Sequence, residues 1–224
     1  NKINKFLLNV GSLENEVIKK FSAKKFKKIT YKKKFIDIGT YSDLKKAGQF
    51  LKKTFRKKCI FLDRDGVINY DYGYVFKKNN FTWKKNVKRA IKFLNDNNYY
   101  VIVISNQSGI GRGFYKEKDV EKLHTWINSQ LNLSGAYIDK FYYSPFYRFS
   151  KNKIYKSCYS SRKPNIGMFK SACKDFEIIK KKSYFVGDKD TDRLAAKNFN
   201  IKYINVDNKT DLYSLLKKKL KNNL

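Results

Sequence analysis

Asp63 and Asp65 stand two positions apart in FLDRDGVIN, residues 61–69, directly after a short apolar run. Extended geometry carried briefly past a strand brings both side chains to one site, and Gly66 permits the tight turn that follows. One carboxylate can attack phosphorus and form an acyl phosphate, while the other gives and takes the proton. A divalent cation offsets the repulsion between such a nucleophile and an anionic substrate. An ordinary Asp-rich turn has the same local sequence, so the pair does not stand alone.

Three further clusters have matching chemistry. SNQSGIGRG, residues 105–113, places Ser105 and exposed backbone amides where a phosphoryl oxygen could be held. It lacks the G-x-x-x-x-G-K-[ST] pattern of a nucleoside-triphosphate loop, and a flexible loop reads the same way. SRKPN, residues 161–165, offers Arg162 and Lys163 before a proline at a helix start. Lys163 could neutralise both the nucleophile and the transferring group, although surface charge is the default for a lysine in this chain. VGDKDTD, residues 186–192, supplies Asp188 and Asp192, hard oxygen ligands for Mg2+, with a helix-capping turn as the plain alternative.

The elements that must position these groups alternate. Short apolar runs predict strands at 59–63, 99–106, near Phe141, at 183–188 and at 202–207. Helical spacing predicts helices at 42–55, 87–98, 116–131, 165–180 and 192–200. Such alternation implies an α/β fold, a mostly parallel sheet flanked by helices, with ligands at the carboxyl ends of the strands. Asp63, Asp65, Ser105, Asn106 and Asp188 all stand at or just past the ends of predicted strands, so they collect at one edge.

Composition bounds the partners. The 51 Lys and Arg against 19 Asp and Glu give a net charge of +32, which ordinarily suggests nucleic acid or an anionic membrane. Here lysine outnumbers arginine and is scattered, with no basic stripe on one element, so a solvated surface is expected and nucleic acid is not. Three cysteines with no C-x-x-C pair fit a reducing compartment without structural disulfides. With no long apolar run and no signal-like N-terminus, a cytoplasmic chain without membrane association is expected. The chain opens on Asn, so residues upstream of it are allowed for. His124, Met168 and Cys173 sit in helical contexts where packing explains them.

In combination, the four clusters resemble the haloacid-dehalogenase-type phosphatases over residues 58 to about 210. The similarity is greatest to the D-glycero-D-manno-heptose 1,7-bisphosphate phosphatases, within a group that includes the histidinol-phosphate phosphatases. GYV at 73–75, the later NF, and NQSGIGRGFY carry it. The resemblance implies a Rossmann-like sheet with no large cap domain, in a domain spanning 57–224. It implies Asp63 as nucleophile, Asp65 as general acid and base, and Ser105, Asn106 and Lys163 as phosphate-binding groups. Mg2+ would be held by Asp63, the backbone carbonyl of Asp65, and Asp188, with Asp192 supporting from behind. Gln107, Arg112 and Arg162 would contact a small phosphorylated sugar. Removal of the 7-phosphate of heptose bisphosphate is the expected reaction. Histidinol phosphate, another small phosphomonoester, a nucleic-acid end, or a catalytically silent binding domain are the alternatives.

Two features depart from or extend that pattern. Many relatives have a zinc loop of the form C-P-x-H followed by C-x-C-R-K-P. Here the corresponding stretches read SPFY, residues 144–147, and YSSRKP, residues 159–164, which lack those ligands, and Cys158 is one position out of register, so no zinc is expected. Packing of Phe146, Tyr147, Phe149, Tyr155 and Tyr159 is expected to hold that loop instead. Upstream, residues 12–51 resemble the end of a sugar-phosphate nucleotidyltransferase, with Asp37 in FIDIGT matching a metal-binding acid. Residues 1–56 would then be a partial transferase-like tail and linker helix. The glycine-rich nucleotide-binding start is absent from the sequence, so no transferase activity is expected from these residues.

Overall fold

CIFL, YVIVISN and YFVG are almost uninterrupted apolar runs, the pattern of strands covered on both faces. They form the centre of the sheet in the computed structural model, which describes residues 35–156 and 159–221. β1 (Cys59–Leu62), β2 (Tyr100–Asn106), β3 (Lys140–Ser144), β4 (Tyr184–Gly187) and β5 (Lys202–Asn205) lie in the order β3-β2-β1-β4-β5. Every pairing is parallel. Two compact units divide the chain, Asn1–Ala47 and Gly48–Leu224, and the sheet lies in the second.

Strand alternation assigns the two faces. Ile60, Leu62, Val101, Val103 and Val186 pack with α2 (Val87–Asp96), α3 (Glu117–Asn132) and α6 (Leu212–Leu220). Cys59, Phe61, Ile102, Ile104 and Phe185 pack with α4 (Gly167–Asp175) and α5 (Asp190–Phe199). The expected helix-covered parallel sheet is therefore present as three layers. Segment 63–86, which joins β1 to α2, has one short 3-10 turn, Lys78–Asn80, and no inserted cap domain.

Two helices are shorter than periodicity predicts. The helix expected over 165–180 ends at Asp175, because Glu177 and Ile179 extend and hydrogen-bond to Lys57, adding a short bridge beside β1. The helix expected to reach Asn98 ends at Asp96, where Asn97 Nδ2 donates to the Phe93 carbonyl and Asn98 turns left-handed. α6 was not foreseen; Leu212, Leu216 and Leu220 bury one face, and Asp211 caps its first turn by accepting from the Ser214 N–H at 2.9 Å.

α1 (Tyr41–Phe55) forms over the predicted helix, and Leu44, Leu51 and Phe55 on its apolar spacing remain exposed. Residues 35–40, including Asp37, carry no regular secondary structure. The rest of the transferase-like resemblance, residues 12–34, lies outside the described residues. No helix among the described residues is long and apolar enough to cross a membrane.

Candidate active site

Sheet register brings the acids together. Leu62 pairs with both Val103 and Val186, and the Asp63 N–H continues the ladder by donating to the Val186 carbonyl at 2.9 Å. Asp63 and Asp188, just beyond β1 and β4, and Ser105, next to last in β2, therefore emerge at one edge, as expected for this sheet type. A cleft of about 320 Å³ opens there, with Asp63, Asp65, Ser105, Asn106, Gln107, Arg162, Lys163 and Asp192 in its walls. Asp71, Tyr74, Tyr115, Lys189 and Thr191 also line it, and none of these was singled out from sequence.

Asp63 is buried, and its Oδ1 accepts from the Arg64 N–H at 2.8 Å and sits 2.8 Å from Lys163 Nζ. Burial pushes its carboxyl up to about 7, against the opposing pull of the Lys163 ammonium. Lys163 Nζ also lies 2.6 Å from Asp192 Oδ1, so one ammonium bridges two buried carboxylates. Burial opposes the charged form of Lys163, but the two acids outweigh it and leave its pKa raised. Asn106 fixes the same lysine through its backbone. Its Oδ1 accepts from the Lys163 N–H at 3.0 Å and its Nδ2 donates to the Lys163 carbonyl at 3.1 Å.

Oxygen atoms of Asp63, Asp188 and Asp192 lie within 4.8 Å of one another. Asp188 Oδ1 is buried without a hydrogen-bond partner, an arrangement costly for a carboxylate unless a cation completes it. Hard oxygen donors of this kind suit Mg2+. Burial raises the Asp188 carboxyl as well. Two neighbours shape this corner. Gly66 has φ +91°, and a Cβ there would lie 2.1 Å from Asp188 Oδ2. Lys84, itself buried, donates to the carbonyls of Gly66 at 2.7 Å and Asp207 at 2.6 Å.

Asp65 belongs to a different network. Arg64, fully buried, donates through Nη2 to both Asp65 oxygens at 3.0 and 2.8 Å, and also to the Val75 carbonyl. Asn69 Nδ2 donates to Asp65 Oδ1 at 3.0 Å and Gln107 Nε2 to Asp65 Oδ2 at 2.9 Å. His124 lies behind, its Nε2 3.4 Å from Arg64 Nη1.

Arg112 does not line the acid cleft. Its guanidinium stacks over Tyr147 at 3.7 Å, in a neighbouring cavity that shares Tyr115 with the cleft. Tyr147 also meets Phe149 edge-on, and the Tyr155 hydroxyl donates to Glu117 at 2.8 Å, so aromatic contacts and a carboxylate tether residues 145–156. Ser161 Oγ donates to Ser144 Oγ at 3.3 Å. Cys158 lies outside the described residues.

Comparison with known proteins agrees with this geometry. A D-glycero-beta-D-manno-heptose-1,7-bisphosphate 7-phosphatase of Haemophilus ducreyi is 40% identical over 147 residues, 65% of this chain and 80% of that protein. One from Rhodopseudomonas palustris is 39% identical over 142 residues, covering 63% and 79%. The crystal structure of a D,D-heptose 1,7-bisphosphate phosphatase from B. bronchiseptica, complexed with magnesium and phosphate, superposes with a TM-score of 0.61. It is 22% identical and covers 74% of this chain and 99% of that one, a likeness of fold. Fold and site thus define a phosphatase of the haloacid-dehalogenase type. The sequence pattern of the family described as Polynucleotide kinase 3 phosphatase matches residues 58–214, and the chain belongs to that family.

Proposed function

We propose that this phosphatase removes the 7-phosphate of D-glycero-D-manno-heptose 1,7-bisphosphate through an aspartyl phosphate on Asp63. The buried Asp63–Lys163–Asp192 array carries the reading, because it presents one carboxylate oxygen to the cleft beside a fixed ammonium. Identity near 40% to heptose bisphosphate phosphatases supports the substrate.

In the first step an Asp63 oxygen forms a bond to phosphorus as the bond to the sugar oxygen breaks. Asp65 gives that oxygen its proton. In the second step Asp65 takes a proton from water, the water oxygen bonds to phosphorus, and the Asp63–phosphorus bond breaks to release inorganic phosphate. Ser105 and Lys163 hold the non-bridging oxygens and neutralise their charge. Asp63, Asp188 and the Asp65 carbonyl would hold Mg2+, whose charge offsets repulsion between nucleophile and substrate. Asp192 acts on Lys163. Arg162, which lines the cleft, reaches the sugar phosphate, and Lys189 and Asp71, paired at 2.7 Å at the mouth, frame its entry.

Upstream, the transferase-like resemblance of residues 12–51 fits a polypeptide in which the phosphatase product, keeping its anomeric phosphate, feeds a nucleotidyl transfer. Free Cys59 and Cys173 fit a reducing, cytoplasmic setting.

A second reading has a specific basis. The family description names a polynucleotide phosphatase, and the net charge of +32 would favour a 3′-phosphorylated nucleic-acid end. Phosphate release with Mg2+ from both heptose bisphosphate anomers, histidinol phosphate and 3′-phosphorylated DNA separates them. Highest kcat/KM on a heptose bisphosphate supports the first reading. Highest kcat/KM on DNA, falling steeply with salt, replaces it with the second.

A further inference from the structure

Gln107 was expected to touch substrate, yet its amide is committed to the protein on every side. It is buried, and Oε1 accepts from Arg64 Nη2 at 3.2 Å and from the Tyr115 hydroxyl at 2.9 Å. Nε2 donates to Asp65 Oδ2 at 2.9 Å and to Ser105 Oγ at 2.8 Å. A primary amide offers two donors and two acceptor sites, so these four contacts use it fully. The orientation is also fixed, because a flipped amide would point N–H groups at the Arg64 and Tyr115 donors. Tyr115 is held in turn by stacking on Phe76, with centroids 4.5 Å apart.

The consequence falls on Ser105. A hydroxyl has one proton, and Ser105 Oγ already accepts from Gln107, so that proton is left to be donated. Ser105 lines the cleft beside Asp63. The same amide donates to the Asp65 Oδ2 that Arg64 also holds, and so helps set where that carboxyl stands relative to the leaving group.

We propose that Gln107 is a positioning residue: it aims the Ser105 hydroxyl proton at the phosphoryl group and holds the proton-transferring carboxyl of Asp65 in register with it. This rests on the phosphatase reading of Ser105 and Asp65 given above. It does not depend on the sugar.

Two generic substrates test it, phenyl phosphate, whose leaving oxygen needs a proton, and p-nitrophenyl phosphate, whose leaving oxygen needs little help. The ratio of their kcat values reports proton donation, since positioned acid catalysis contributes roughly 10²–10⁴-fold. Gln107→Met should lower kcat about 100-fold on phenyl phosphate and about tenfold on p-nitrophenyl phosphate. KM should change less than kcat. Gln107→Glu retains oxygen acceptors for Arg64 and Tyr115 but sets a second carboxyl against Asp65, with which it would share a proton, so it should shift the substrate ratio as well, and it serves where the Met variant unfolds. Combined with Ser105→Ala, the Gln107 losses should be less than additive. The proposal is overturned if Asp65→Asn shifts the substrate ratio while folded Gln107 variants keep wild-type kcat and ratio. A ratio that Asp65→Asn does not move overturns the acid role of Asp65 and the proposal with it.

Discussion

Asp192 holds Lys163: their charged atoms are 2.6 Å apart, and both side chains are buried. Lys163 in turn reaches Asp63 at 2.8 Å, so the acid farthest along the chain sets the lysine that faces the proposed nucleophile. The sheet explains the packing too, since a Cβ on Gly187 would lie 2.4 Å from the Asp192 Cβ.

Asp192→Ala removes one of the two carboxylates that Lys163 bridges and leaves its ammonium to Asp63 alone. Loss of that charge-assisted contact should cost about 2 kcal/mol of stability, which for a domain of this size is roughly 4–8 °C in Tm. Lys163 should also lose its fixed position, lowering kcat by at least about tenfold. Thermal unfolding and steady-state kinetics on the same preparation measure both. An unchanged Tm would show that the pair contributes little.

Gly66→Ala should act on the cation corner. The added Cβ meets Asp188, and the backbone there has φ +91°. Half-activation by Mg2+ is expected to need at least about tenfold more cation, comparable to loss of a ligand-orienting contact. Mg2+ titration of activity reads this directly, and a wild-type midpoint would remove Asp188 from the proposed ligand set.

Protons and Mg2+ should compete at Asp63. Its carboxyl is raised to about 7 by burial in the metal-free protein, so below that pH cation binding must displace a proton. The Mg2+ half-activation concentration should rise by up to about tenfold per pH unit as pH falls below 7, and level off above it. A midpoint flat from pH 5 to 8 would contradict the assignment.

His124 predicts a stability slope. It is stacked on Phe141, and burial first and the Arg64 charge second hold its pKa well below 6.5. The unfolded chain takes up a proton near pH 6.5 that the folded chain does not. Stability from this residue is therefore present above about pH 6.5 and lost as pH falls, with a limiting slope of about 1.4 kcal/mol per unit. Asp63 slopes the opposite way, because its raised carboxyl favours the folded state as pH falls from about 7 toward 4. Comparison with His124→Asn isolates the histidine. Between pH 7 and 5 the wild type should lose more Tm than the variant, and parallel curves would refute the coupling.

What the sequence made legible was whatever strand periodicity could place. Asp63, Ser105 and Asp188 stand just past apolar runs, and register does the rest. Lys163 was legible only beside the other motifs, and buried Lys84 not at all, since a chain with this much lysine hides those that turn inward. Arg64 lies between Asp63 and Asp65, the two proposed catalytic acids, and was passed over, although it grips Asp65 from a fully buried position. Tyr115, Asp71 and Lys189 reach the cleft through loop geometry that no periodic pattern encodes. Arg112, expected at the substrate, stacks on Tyr147, a tertiary neighbour 35 positions away that no local pattern announces.

The central claim is that Asp63 becomes phosphorylated. Quenching the enzyme during turnover of heptose 1,7-bisphosphate with Mg2+, reducing with borohydride and mapping residues 59–70 by mass spectrometry tests it most directly. Asp63 should be converted to homoserine, dependent on substrate and absent in Asp63→Asn, which should also release no phosphate. Undiminished phosphate release by Asp63→Asn, with Asp63 unmodified in the wild type, would contradict it.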